Sequence, residues 1–446
     1  MNSTVSLHQT LEKHFNSIYW LVFLSAVALS LIYASNQILT GDQTQMLIKG
    51  YLGAYQNNWL SYGNAASVVG NVPGSLSTYI VGIPLLIWNS AWAPMLLLLA
   101  LRVVSFLLFD LVIKQIFSPV VRLSFLVLYL LNPWFLFDSL IYNPAYLCFF
   151  AALHCWSAFN MSQQRSFIFS FLNVIAIGFA MQLHYSWPIL AVMSAYLFYR
   201  RLIHVHWLGI IFGCATIFVS LIPYLIELQA NQAIQGQESD RYIGWGGVHV
   251  YPVFKSVLYW LRYSSFLFSN RIITDAEFLW LTDINWLRMA INYLWQAVLY
   301  VVGGLTVIVS WGINQRVWRR IKPHWRSRKA LNLSNQDWLM HYAFSAVLGI
   351  IISAILSPII FSYWHLIITF GFALFPVLYQ AQRWQNSQPE RLAKIIMLVA
   401  GYFLVVNLVA SHDSNKFSYT HSFAEQERQF LIDKGLAVQS PLDTIR

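Results

Sequence analysis

The chain has 446 residues, of which 58% are hydrophobic, 17% aromatic and only 10% charged, with a mean hydropathy of +0.56. Soluble domains carry roughly 25% charged residues, so this balance excludes a water-soluble globule. The net charge of +10 is scattered between apolar stretches of spanning length, and so reads as membrane topology and not as a nucleic-acid surface.

In chain order, Lys13 precedes an apolar run from Ile18 to Ala34 that shows no small-residue cleavage site, which predicts an uncleaved signal anchor. Spanning helices are expected over 18–35, 93–113, 120–136, 145–160, 166–183, 185–199, 207–226, 289–311, 339–356, 359–380 and 394–411. The fold class is therefore all-α, a polytopic helix bundle of eleven spans. Residues 1–17 precede a single transmembrane domain over 18–411, and a tail follows over 412–446. Cys148, Cys155 and Cys214 all fall inside apolar runs, which argues against a disulfide framework or a zinc site.

Ser75 to Trp88 is apolar but short, because a crossing takes ~20 residues. Gly82 and Pro84 interrupt it, and both weaken a helix. Charge decides its topology. If it does not cross, sixteen basic residues, among them Lys13, Arg122, Arg200, Arg201 and the run from Arg316 to Lys329, share the cytoplasmic side with only Glu12, Asp337 and Glu390. If it crosses, that basic run moves outside. The expectation is a re-entrant or surface-lying helix at 75–88, an internal N-terminus and an external C-terminus. External loops then cover 36–92 and 227–288, and a basic cytoplasmic loop covers 312–338. Irregular backbone at membrane depth needs protein or a wet cavity around it, which predicts an external cavity. Trp245, Tyr251, Tyr259, Trp260, Tyr263, Trp280 and Trp286 suit helices lying at the interface, either as an aromatic belt or as a lid over a lipid substrate.

Few residues here carry chemistry. Asp42, just past the first span, is placed to take a proton from an attacking hydroxyl in a partly dry cavity; the alternative is a helix cap for the stretch from Gln43 to Tyr55. Asp138 and Asn143 lie on the external turn after Asn132-Pro133, either across the cavity from Asp42 or as turn and capping residues. Arg102 sits inside a span, at a cost of at least ~2.5 kcal/mol on insertion scales. It serves either a phosphate or a structural pair with Asp110 or Asp138. His184, Tyr185 and His365 stand at span ends, as interfacial hydrogen-bonders or as contacts to a phosphate or sugar. Lys49, the basic residue of the first external loop, is either solvated or a phosphate contact. A divalent metal is weakly supported: hard cations want several oxygen ligands, and Gln43 follows Asp42 where a second acid would serve.

Gly41-Asp42 after the first span, the segment from Gly70 to Leu76, Tyr142-Asn143-Pro144 and the run from Gly178 to Tyr185 together resemble the GT-C superfamily of integral membrane glycosyltransferases. More narrowly, they are similar to bacterial dolichyl-phosphate-mannose-protein mannosyltransferase-like and aminoarabinose-transferase-like proteins. The resemblance covers roughly residues 15–230. It implies a helical bundle with an external active-site cavity and inverting transfer of a sugar from a polyprenyl-phosphate-linked donor. The acceptor would be a glycan, a lipid or a protein. Asp42 matches the first-loop carboxylate, so it would be the general base. Asn143 stands near a second acidic motif that this chain lacks. Lys49, Arg102, His184, Tyr185 and His365 would hold donor phosphate or sugar. Membrane lipids are the other expected partner. A bacterial inner membrane is the expected location, since the sequons at Asn2, Asn160 and Asn332 all fall on the cytoplasmic side. The competing readings are a polysaccharide ligase or polymerase, a non-catalytic relative, and a transporter or flippase. The last should show repeated halves, and none is visible.

Overall fold

The structure is a computed structural model that describes residues 6–66, 70–231, 248–268, 271–325 and 333–436. Asn2, Trp245, Arg326, Arg328, Lys329, Asn332 and the last ten residues of the expected tail lie outside the described residues.

The chain is a helix bundle, as the hydropathy pattern requires, with two small β-hairpins among the described residues. Helix α1 (Leu7–Lys13) leads into α2 (Phe15–Asn36), then α3 (Gly41–Gln56), strands β1 (Tyr62–Ala66) and β2 (Gly70–Pro73), α4 (Leu76–Ile87) and α5 (Trp92–Ile113). Next come α6 (Pro119–Leu130), α7 (Pro133–Phe137), a 3-10 turn (Asn143–Tyr146), α8 (Leu147–Gln163), α9 (Phe167–Met181), α10 (Pro188–Tyr199) and α11 (Trp207–Ala230). The second half holds α12 (Val250–Tyr263), α13 (Arg271–Thr274), α14 (Asn285–Trp325), α15 (Asn335–Leu356), α16 (Tyr363–Leu366), α17 (Phe370–Ser387) and α18 (Pro389–Ala410). Strands β3 (Asp413–Ser414) and β4 (Phe417–Ser418) and helix α19 (Phe423–Asp433) close the chain.

Every expected span contains a helix, and among the described residues eight helical segments have the length and composition to cross a membrane. Three expected spans are shorter: α9 has 15 residues, α10 has 12 and α8 has 17. At a rise of about 1.5 Å per residue, α10 extends only about 18 Å. Conversely, α14 runs 41 residues, so the expected loop at 312–338 begins as helix through Trp325. Basic side chains at a helix C-terminus are favourable there, and Arg200 donates to the carbonyls of His324 and Trp325 at its end. Arg320 pairs with Asp337 at 2.9 Å across the gap to α15.

Helix α4 is the short helix expected near 75–88. Its 12 residues cannot cross, and it turns Tyr79, Ile83, Leu86 and Ile87 outward. Its inner side packs on α3 through two glycines. A Cβ at Gly50 would lie 2.3 Å from Val81, and one at Gly82 would lie 3.1 Å from the Gly50 carbonyl, so only hydrogen allows this approach.

At α6 the span breaks. Asn132 caps α7 by accepting from the Trp134 amide at 3.0 Å, and Pro133 occupies the first helical position. The stretch from Asp138 to Tyr146 is irregular yet buried, which is possible only because helices surround it.

The described part of the tail expected at 412–446 packs back onto the bundle. Phe417 bridges to Gln37, and Glu427 accepts from the Tyr51 hydroxyl, the Ser90 hydroxyl at 3.1 Å and the Ala91 amide. Its carboxylate thus ties α19 to α3 and to the start of α5. These contacts join positions hundreds of residues apart, which no local pattern in the sequence announces.

Candidate active site

Helix α3 carries Asp42 in its first turn. The cap is Thr40, whose side chain meets the Gln43 backbone amide, while Gln43 Oε1 accepts from the Thr40 amide at 3.0 Å and from its hydroxyl at 2.8 Å. Gln43 Nε2 then donates to Gln37 Oε1. The N-cap residue is therefore Thr40, and the exposed Asp42 carboxylate makes no hydrogen bond or ion pair among the described residues. Gln43, standing where the resemblance implies an acid, is fully buried as part of that cap.

Asp42 is held from behind, because Asn64 Nδ2 on β1 donates to its backbone carbonyl at 3.1 Å. Lys49 does not reach the same opening. Its ammonium donates to the Gly63 carbonyl and lies 4.9 Å from the Tyr62 ring centre, bracing the hairpin. Burial lowers its pKa to about 8.

Arg102 and Asp138 form the structural pair. Arg102 Nη1 lies 3.6 Å from Asp138 Oδ2 and 3.1 Å from the Ala145 carbonyl, Nη2 donates to the Phe135 carbonyl, and the guanidinium sits 3.9 Å over the Phe135 ring centre. Asp110, the other partner considered for Arg102, instead binds Arg122 and the Tyr19 hydroxyl. The Tyr142 hydroxyl donates to Asp138 Oδ1. Complete burial raises the Asp138 carboxyl to about 6, with the Arg102 charge and the Tyr142 bond pulling it back. Asn143 Oδ1, Ser139 Oγ, Trp134 Nε1 and the Tyr146 hydroxyl are buried nearby in the chain with no hydrogen-bond partner among the described residues.

A second group gathers at His184. Its ring lies 5.4 Å, centre to centre, from that of His365. The Ser186 amide donates to His184 Nδ1 at 3.1 Å, and the Ser362 amide donates to His365 Nδ1 at 2.8 Å. An Nδ1 that accepts an N–H carries no proton, so each neutral ring holds its proton on Nε2. The pair therefore presents two N–H donors of fixed tautomer. Burial, with the His365 ring beside it, lowers the His184 pKa to about 3. Tyr185 is exposed, and its hydroxyl donates to the Asn71 carbonyl at 3.0 Å. The first-loop hairpin is thereby fastened to the His184 turn. Gly74, at φ +88°, makes the same contact from the other side, since a Cβ there would lie 2.4 Å from Gln182 Oε1.

The two groups share one end of the bundle. Phe137, the residue before Asp138, lies 5.9 Å from the Tyr363 ring centre, two residues before His365. Lys416, from the turn of the tail hairpin, lies within electrostatic reach of both Asp42 and Asp138. Sequence reasoning missed Lys416 because no local pattern in the tail points to Asp42 or Asp138. Among the described residues no cluster of three or more His, Cys, Asp or Glu is placed to hold a metal ion. With Gln43 in a cap and Asp138 paired to Arg102, the residues near Asp42 do not make the multi-oxygen set a hard cation needs.

No known family model and no curated protein matches the chain. It is similar in structure to ArnT from Cupriavidus metallidurans bound to undecaprenyl phosphate, with 11% identity, coverage of 87% of this chain and 76% of that one, and a TM-score of 0.44. It is also similar to the archaeal oligosaccharyltransferase AglB from Archaeoglobus fulgidus in complex with an inhibitory peptide and a dolichol-phosphate, with 12% identity, coverage of 91% and 56%, and a TM-score of 0.44. The Archaeoglobus fulgidus oligosaccharyltransferase in complex with Zn and sulfate gives 13%, 88%, 53% and 0.44. The chain thus spans little more than half the length of the archaeal protein. Likeness at this level is too distant to carry residue roles from those proteins to this chain.

Proposed function

We propose that the chain is a GT-C-type membrane glycosyltransferase that moves a sugar from a polyprenyl-phosphate donor to an acceptor hydroxyl on a glycan, lipid or protein. The observation that carries this reading is the Thr40–Gln43 cap. It leaves Asp42 as an exposed, uncommitted carboxylate at the end of the bundle where the Asp138 loop, the paired histidines and Lys416 also gather. In the reaction, the acceptor oxygen attacks the anomeric carbon while its proton passes to the Asp42 carboxylate. The bond from that carbon to the phosphate oxygen breaks, and the lipid phosphate leaves with the electron pair. The configuration inverts, because attack and departure occur on opposite faces. The Nε2–H donors of His184 and His365 are preorganised for oxygens on the donor, which stabilises developing charge without reorganisation. Arg102 holds the Asp138 loop in place and does not itself contact phosphate. The external, periplasmic face of a bacterial inner membrane is the proposed setting, with the basic end of α14 in the cytoplasm.

An apolar cavity of about 240 Å³ would take a short stretch of the lipid part of such a donor. It lies between α6, α14, α17 and α18 and is lined by Leu128, Phe266, Val309, Leu374, Ile396 and Val399. Asn132, which caps the helix leading to Asp138, and Ser264 are among its polar lining residues.

The test is mass spectrometry of surface glycans and glycolipids from cells lacking the gene, complemented with wild type or Asp42→Asn at matched expression. Wild type should restore a missing sugar and Asp42→Asn should not. Equal restoration by both removes Asp42 as the base and brings the non-catalytic and transport readings forward.

A further inference from the structure

A phosphate leaving group carries charge that neutral imidazoles do not offset. Two of the cations near the proposed site are already committed: Arg102 to Asp138 and two carbonyls, and Lys49 to the Gly63 carbonyl. Lys416 is different. It stands in the turn between β3 and β4, and its backbone carbonyl accepts from the Ile38 amide at 2.8 Å, four residues before Asp42. The next residue, Phe417, is fully buried, with its ring 4.8 Å from that of Tyr33 and 5.7 Å from that of Phe137, directly before Asp138. The segments bearing the two carboxylates therefore grip the lysine backbone from both sides.

The Lys416 side chain is half-buried, and its ammonium makes no hydrogen bond or ion pair among the described residues. Burial lowers its pKa, and the Asp42 and Asp138 carboxylates pull it back up. A half-buried ammonium with no hydrogen-bond or ion-pair partner among the described residues has lost hydration that nothing in the protein replaces, and an anionic ligand would supply the missing contacts.

The geometry points to Lys416 as the cation that binds the phosphate of the lipid-linked donor, delivered to the site by the C-terminal tail. This rests on the transferase reading above. On it, the tail is a working part of the site: Glu427, bonded to Tyr51, Ser90 and Ala91, anchors α19 and with it the hairpin that carries Lys416.

The experiment uses the full-length protein in lipid nanodiscs, with undecaprenyl phosphate and uncharged undecaprenol as probes, read by native mass spectrometry. Wild type should prefer the phosphate. Lys416→Met should weaken phosphate binding about tenfold or more and leave undecaprenol unchanged, and Lys416→Arg should stay within about threefold of wild type, since a hydrogen bond to a charged group is worth about a factor of ten or more. Amine-selective labelling of the wild type provides a readout that needs no variant: undecaprenyl phosphate should protect Lys416 from modification and undecaprenol should not. Unchanged phosphate binding by a folded Lys416→Met, or labelling of Lys416 indifferent to the phosphate lipid, overturns the inference and leaves the transferase reading standing. A wild type with no preference for phosphate over alcohol overturns both.

Discussion

Two buried polar regions of this bundle are built from similar residues and end in opposite states. In the first, the His154 ring joins two other helices: Nδ1 meets the Tyr342 hydroxyl at 2.7 Å and Nε2 meets Ser194 Oγ at 2.8 Å. Ser194 donates to Asn173 Oδ1 at 2.9 Å, and Asn173 Nδ2 donates to Ser157 at 3.2 Å. Since the Ser194 proton goes to Asn173, His154 Nε2–H must donate to Ser194, and every link has one direction. In the second region, Arg102, Asp138 and Tyr142 bind one another, but Asp138 Oδ2, Arg102 Nε, Ser139 Oγ, Asn143 Oδ1 and the Tyr146 hydroxyl have no hydrogen-bond partner among the described residues. Buried polar groups are nearly always satisfied. The closed chain at His154 accounts for itself as a staple between α8, α9, α10 and α15. The set around Asp138 is left with open hydrogen-bonding capacity among the described residues. The two regions thus differ in saturation and not in residue type.

The sharpest way to break this comparison is at the Arg102 pair. Arg102→Met leaves the fully buried Asp138 without its paired guanidinium and should cost about 3–5 kcal/mol, read as lost thermal stability in detergent. Adding Asp138→Asn should recover most of it, and a double variant as unstable as the single one would show that the pair is not the cause. Next in size is the staple. His154→Phe strands the Tyr342 and Ser194 hydroxyls and should cost about 2 kcal/mol, with binding of undecaprenyl phosphate unchanged in the folded fraction. A loss of binding there would erase the distinction between the two regions.

Smaller effects test the histidine pair. His184→Ala and His365→Ala should each weaken donor binding about tenfold, and each should cost about 1 kcal/mol of stability because the Ser186 or Ser362 amide loses its acceptor. The last test is in pH. Because the His184 pKa is lowered to about 3 from an ordinary value near 6.5, the unfolded chain binds its proton first as pH falls. Its contribution to stability is therefore full above about pH 6.5 and is lost as pH falls from there towards 3. Turnover should show no titration from this ring between pH 6 and 8, and a histidine-like transition in that window that disappears in His184→Ala would contradict the neutral tautomer.

What the sequence determined by itself was whatever depends on neighbours along the chain. Hydropathy located a helix in every expected span, and the Gly82 and Pro84 interruptions marked α4 as too short to cross. The position of Asp42 after the first span singled it out before any contact was known. Local chemistry also held the Thr40–Gln43 cap, a Thr-x-x-Gln pattern visible in the sequence but read there as Asp42 capping. The tertiary structure decided everything that joins distant positions. It chose Asp138 over Asp110 for Arg102, brought His184 to His365 across the bundle, and folded the tail back so that Lys416 comes within electrostatic reach of Asp42 and Glu427 bonds Tyr51. The physical reason is that burial in an apolar bundle is dictated by each segment's own composition, whereas a charge inside it must find its partner wherever packing brings one.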